Sequence, residues 1–138
     1  MNKKKILIVD DDQDLLKALR VILDAQGYAT VFATNAALSI DTAMREIPDL
    51  ILLDLGLPDG IGLTVMERLQ QIDSLSSIPV IVITGRPQHI YKDVALVAGA
   101  KGFLQKPIDN AELFSAVRRA LDNSPEGKRR SFSNLTRN

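Results

Sequence analysis

Five short apolar runs of strand length alternate along this chain with segments whose apolar residues recur at helical spacing. Residues 5–9, 28–33, 50–53, 79–83 and 102–105 are predicted strands. After the first of them, Leu15, Leu16, Leu19, Ile22 and Leu23 recur at the three- and four-residue spacing of an amphipathic helix. The same period predicts helices over 36–46, 63–72, 90–98 and 111–121. Gly27 suits the left-handed position after the first helix, Pro48 bars extension of the second, and Gly99 closes the fourth. Five βα units with short connections predict an α/β fold with a parallel sheet and helices on both faces, because each right-handed crossover has to span a helix. Runs such as LILL and VIVI, with no polar alternation, fit strands buried on both sides. Open sheets of this kind bind ligands beyond the carboxyl ends of their strands, where strand order reverses.

Four of the runs stop at residues that handle metal or phosphate: the first at Asp10, Asp11 and Asp12, the third at Asp54, the fourth at Thr84 and the fifth at Lys106. Strands ending at one sheet edge bring these groups into one cleft. Adjacent carboxylates about 4 Å apart repel by roughly 4 kcal/mol at an effective dielectric near 20. A hard dication relieves that, and magnesium, which takes few carboxylates plus waters and phosphate oxygens, suits one or two of these acids together with Asp54. Asp12 also reads as the N-cap of the first helix, with Asp14 complementing its dipole. Asp54, at the exit of a wholly apolar strand, is placed as a nucleophile. The Lys106 ammonium suits a phosphoryl oxygen or the nucleophile's carboxylate, and Thr84 offers a hydroxyl. Singly, each has an ordinary explanation: an acid opening a loop, a solvated lysine, a β-branched strand residue.

A chain of 138 residues forms one domain with a self-sufficient core, and 46% hydrophobic with 25% charged residues gives no reason to invoke disorder for its bulk. Without cysteines, disulfides, thiol catalysis and Cys-based zinc sites are excluded. The apolar run after Lys3, Lys4 and Lys5 is too short for a signal peptide or a membrane span, so the chain is expected in the cytoplasm. Residues 1–122 carry 13 basic and 16 acidic side chains, which does not suit direct nucleic-acid binding. Residues 123–138 carry four and one, and read as a flexible basic tail or the start of a linker, with Lys128, Arg129 and Arg130 as a solvated charge run.

The run IVDDD, the segment Asp54-Leu-Gly-Leu-Pro-Asp-Gly-Ile-Gly62, the pair Thr84-Gly85 and the stretch from Ala98 through Phe103 to Lys106-Pro107 together resemble the receiver domain of two-component response regulators over about residues 3–122. The resemblance implies a flavodoxin-like (βα)5 sandwich with strand order 2-1-3-4-5. It implies Asp54 as the acceptor of a phosphoryl group from a sensor histidine kinase or a histidine phosphotransfer protein. Mg²⁺ would then be held by Asp11, Asp54 and the backbone carbonyl of Gly56, with Asp10 acting through water. Lys106 would pair with the phosphoryl group, and Thr84 with Phe103 would form a switch. The fourth helix, fifth strand and fifth helix would report to a downstream protein or an output domain, with self-association on phosphorylation as a further outcome. Such a chain is no enzyme beyond catalysing its own phosphorylation and dephosphorylation.

Ile61 stands where many receivers carry a polar residue, and Arg86 and Gly56 occupy places that border the attacking water's route in the family, which predicts a phosphoryl lifetime sensitive to Arg86. Pro87 is expected in the first turn of the fourth helix, and His89 at the surface. Three alternatives are weighed. A flavin-phosphate binder would share the fold, but three acids after the first strand repel a phosphate. A haloacid-dehalogenase-type phosphatase is suggested by the Asp10/Asp12 spacing but leaves Asp54 unexplained. A receiver-like scaffold that is never phosphorylated would not need every ligand position filled.

Overall fold

The structure, a computed structural model, describes residues 3–123; the side chain of Ile61, which stands where many receivers carry a polar one, lies outside the described residues. Residues 124–138, most of the predicted basic tail, also lie outside the described residues. The elements run β1 (Lys5–Val9), α1 (Gln13–Ala25), β2 (Ala29–Ala33), α2 (Ala36–Glu46), β3 (Leu50–Leu53), β4 (Gly56–Leu57), β5 (Gly60–Ile61), α3 (Gly62–Gln71), β6 (Val80–Thr84), α4 (Gln88–Val97), β7 (Gly102–Gln105) and α5 (Asn110–Asp122). Five strands form one parallel sheet in the order β2-β1-β3-β6-β7. Setting aside the two-residue strands β4 and β5, which pair only with each other, this is the order 2-1-3-4-5 that the resemblance implies.

Strand alternation divides the core. Leu7, Val9, Ile51, Leu53 and Val82 pack with Ile40 and Ala43 of α2, Val65, Met66 and Leu69 of α3 and Ala95 of α4. On the other face, Ile6, Ile8, Leu50, Leu52, Ile81 and Ile83 meet Leu16, Leu19 and Leu23 of α1 and Leu113, Ala116 and Val117 of α5. The interior strands are covered on both sides, which is why their sequences run apolar without a break. A fully buried side chain of this size contributes about 1.5–3 kcal/mol.

The starts of α1, α2 and α5 carry side-chain caps. Asp12 accepts from the N–H groups of Asp14 and Leu15, Asn35 from Leu38, and Asp109 from Glu112. Gly27 (φ 89°) follows α1 and Gly99 (φ 110°) follows α4 in the left-handed region, as expected. Pro87 sits at the N-cap of α4 rather than inside its first turn, so α4 begins one residue later than a proline at the first helical position would give. The fourth strand of the sheet runs to Thr84 rather than Ile83, because the Lys106 N–H donates to the Thr84 carbonyl and extends the ladder by one residue. The β4–β5 hairpin was not predicted: two-residue strands carry no hydrophobic period. Gly62, at the start of α3, meets the backbone just after β3 so closely that a Cβ there would lie 2.5 Å from the Asp54 carbonyl oxygen. Only glycine permits that approach.

Candidate functional site

Main-chain bonds carry each strand end to the same edge. Asp10 follows β1 and donates its N–H to the Ala33 carbonyl at 3.1 Å, while Asp54 follows β3 and donates to the Val9 carbonyl at 2.9 Å. The pairing of Val9 with Leu53 therefore sets the two acids side by side. Lys106 follows β7 and donates its N–H to Thr84 at 2.8 Å.

The side chains converge accordingly. Carboxylate oxygens of Asp10, Asp11 and Asp54 all lie within 4.8 Å of one another. The Lys106 ammonium lies 2.7 Å from Asp10 Oδ2 and 3.5 Å from Asp54 Oδ2. Asp10 is wholly buried, Asp54 nearly so at 6% exposure, and Asp11 is exposed. Asp10 Oδ1 accepts from the Asp12 N–H at 2.9 Å, and Asp54 Oδ1 from the Gly56 N–H at 3.2 Å. Asp10 Oδ2 receives no aligned hydrogen bond among the described residues, so its contact with Lys106 is an ion pair and the oxygen keeps spare coordinating capacity. Asp12 faces away from this role, its carboxylate serving α1.

Burial pushes the Asp10 carboxyl above the usual range, with the Lys106 ammonium beside it and the Asp12 N–H opposing it only in part. For Lys106, burial works downward, but the carboxylate of Asp10, then that of Asp54, outweighs it and holds the ammonium above its ordinary value. Three carboxylates thus share one cation. An all-oxygen donor set with surplus negative charge and a buried oxygen without a hydrogen-bond donor fits Mg²⁺, which prefers such ligands.

Thr84 is buried, and its Oγ1 accepts from the Arg86 N–H at 3.2 Å. The Arg86 guanidinium stacks over the Tyr91 ring at 5.6 Å and bonds its hydroxyl at 3.3 Å. A Cβ at Gly56 would lie 3.5 Å from Arg86 Nε and 3.9 Å from Asp54 Oδ1, so guanidinium and carboxylate border one spot. Phe103 is half-buried and packs with the sheet face covered by α2, α3 and α4, rather than joining the acid cluster. His89 is exposed.

A profile of the response regulator receiver domain matches residues 6–118. The chain belongs to that family. As a receiver of two-component response regulators, it is 40% identical over 116 residues to the KDP operon transcriptional regulatory protein KdpE of Escherichia coli (strain K12), covering 84% of this chain and 50% of that one. It spans about half the length of the first curated relatives it matches. A crystal structure of a CheY-like receiver domain protein from Methanospirillum hungatei JF-1 superposes with a TM-score of 0.82 at 29% identity, over 94% of this chain and 99% of that one. The receiver domain of sensor histidine kinase PA1611 from Pseudomonas aeruginosa PAO1, solved with a magnesium ion coordinated in its active site cleft, has a TM-score of 0.80 at 24% identity, over 88% of this chain and 100% of that one. At that identity the likeness shows the fold.

Two side chains of this receiver were not singled out from its sequence. Asp59, at the turn between β4 and β5, accepts from the Ala36 and Ala37 N–H groups at 2.6 and 3.2 Å and so ties the loop after Asp54 to the start of α2. Gln105, beside Lys106, donates to the carbonyls of Thr84 (3.2 Å) and Arg86 (2.8 Å). Pro-Asp-Gly announces a turn, but nothing in either stretch marks a partner some 20 residues away. A groove of about 830 Å³ lies apart from the acids, between α4, β7, α5 and the connection leading into β6, with Ile78, Lys92, Leu96, Lys101 and Phe103 in its lining. Among the described residues no helix is long and apolar enough to cross a membrane.

Proposed function

We propose that this receiver takes a phosphoryl group onto Asp54 from the phosphohistidine of a sensor histidine kinase or a histidine phosphotransfer protein, in a Mg²⁺-dependent reaction, and thereby switches conformation to control a partner or output domain. The observation that carries the reading is the Lys106 ammonium 3.5 Å from Asp54 Oδ2, within a cluster of three carboxylates. An Asp54 oxygen attacks phosphorus as the bond from phosphorus to the donor imidazole nitrogen breaks. Lys106 stays cationic throughout, its ammonium held above its ordinary value, and meets the developing charge on the phosphoryl oxygens. Thr84 donates its hydroxyl to one of those oxygens. The carboxylates of Asp11 and Asp54 and the carbonyl of Gly56 would hold Mg²⁺, with Asp10 acting through water. A bound Mg²⁺ supplies charge neutralisation between these acids and the transferring group. The PA1611 receiver, which shares this fold, holds a magnesium ion in its active site cleft.

Signalling follows as a population shift, since the phosphoryl group favours the arrangement in which Thr84 and Lys106 both meet it and Phe103 turns inward. Exposed Ile90 and Val97 on α4, with β7 and α5, form the reporting face. The chain catalyses only its own phosphorylation and dephosphorylation. It works in the cytoplasm, with residues 1–122 as the receiver. The test is the intact mass after incubation with Mg²⁺ and acetyl phosphate. We expect one added phosphoryl group, lost on chelation of the metal beforehand and absent in Asp54→Ala; an unchanged wild-type mass favours the scaffold reading instead.

A further inference from the structure

We infer that Gln105 is a positioning residue: its carboxamide clamps the connection between β6 and α4 so that the Arg86 guanidinium stays against Gly56 beside the Asp54 carboxylate, limiting the access of water to that carboxylate. The inference rests on the reading of Asp54 as phosphoacceptor.

Arg86 is gripped at three places. Its N–H donates to Thr84 Oγ1 at 3.2 Å, its carbonyl accepts from Gln105 Nε2 at 2.8 Å, and its guanidinium bonds the Tyr91 hydroxyl at 3.3 Å while lying over that ring. Gln105 Nε2 donates in addition to the Thr84 carbonyl at 3.2 Å, so one amide nitrogen fastens both sides of Gly85. Gly85 has open space around it and no Cβ to restrict it, so the connection carries little stiffness of its own. The grip matters for what it presents. A Cβ at Gly56 would lie 3.5 and 3.8 Å from Nε and Nη2 of Arg86 and 3.9 Å from Asp54 Oδ1. The guanidinium thus borders the same spot beside Gly56 that Oδ1 borders, and water approaching a group on Asp54 through that spot has to pass it.

The clamp can be removed without unmaking the fold. The Thr84 carbonyl keeps the Lys106 N–H at 2.8 Å, and Arg86 lies in an exposed stretch where water can replace the lost donor. Gln105→Met preserves length without a donor, and Gln105→Leu removes it with a shorter side chain. Both variants and wild type would be phosphorylated with acetyl phosphate and Mg²⁺, freed of donor, and followed for loss of the phosphoryl mass. The variants should lose it about three- to tenfold faster, the range expected for one net hydrogen bond. The same substitutions in an Arg86→Ala background should add nothing further, because the clamp acts through that side chain. In unphosphorylated protein, amide exchange at Arg86 should accelerate in both variants.

A wild-type protein that never gains the phosphoryl group refutes the Asp54 reading, and the inference with it. Wild type that is phosphorylated alongside variants that decay at its rate overturns the role of Gln105 alone. So does an Arg86 amide that exchanges at the wild-type rate, or an effect of Gln105→Met that persists undiminished without Arg86.

Discussion

Removing the Lys106 side chain strips buried Asp10 of the ammonium 2.7 Å away and leaves it beside Asp54. Breaking a buried pair by deleting one partner costs about 3–5 kcal/mol. Lys106 is itself a quarter exposed, so after solvent screening we expect Lys106→Ala to lose about 1–3 kcal/mol in chelator at pH 7, measured by urea unfolding. No loss would mean that the ion pair does not form. Arg86→Ala should shorten the lifetime of the phosphoryl group, read by its mass over time, and decay at the wild-type rate would remove Arg86 from the cleft's control of water. The acids and Lys106 could be found in the sequence because each directly follows an apolar run whose end the sheet edge fixes. Arg86 was marked by the resemblance, and its bonds to Thr84 and Tyr91 are local; Gln105 and Asp59 act through bonds to residues some 20 positions away, so their parts emerge only in three dimensions.

The start of α2 is closed by two side chains from different parts of the chain. Asn35 accepts from Leu38, and Asp59, 23 residues ahead, accepts from Ala36 and Ala37. Those bonds, the one from the Ala36 N–H first, hold the Asp59 carboxyl below the usual carboxylate range. A depressed folded value gives stability that is present above the unfolded value of 3.8 and is lost as pH falls through the lower folded one. Asp59→Ala should therefore lower the urea midpoint at pH 7, and the gap to wild type should close below pH 3.8. A gap unchanged at pH 2.5 would show that the charged carboxylate is not what secures the loop. Helical periods located α1, α2 and α5 to within about two residues of the observed spans. The β4–β5 hairpin escaped because two residues cannot display a period, and its path depends on the contact of Gly62 with the Asp54 carbonyl.

For the molecule as a whole, a ligand that binds only the folded state stabilises it by mass action, which amounts to about 2.7 kcal/mol at a hundred times the dissociation constant. Mg²⁺ should accordingly raise the melting temperature of wild type in a saturable way, and much less that of Asp54→Ala; equal shifts in the two would place the ion elsewhere. The sequence by itself determined the α/β architecture and the residues gathered at one edge, because strand and helix periods, burial on both faces and right-handed crossovers leave few ways to arrange five βα units. Periodicity did not settle the strand order, which only the resemblance supplied and the pairing of β1 with both β2 and β3 displays. Tertiary structure alone decided which oxygen of Asp10 meets Lys106, how the guanidinium of Arg86 comes to border Asp54, and which carbonyls Gln105 binds. Those are matters of side-chain direction across strands and loops distant in the chain, and no local pattern encodes them.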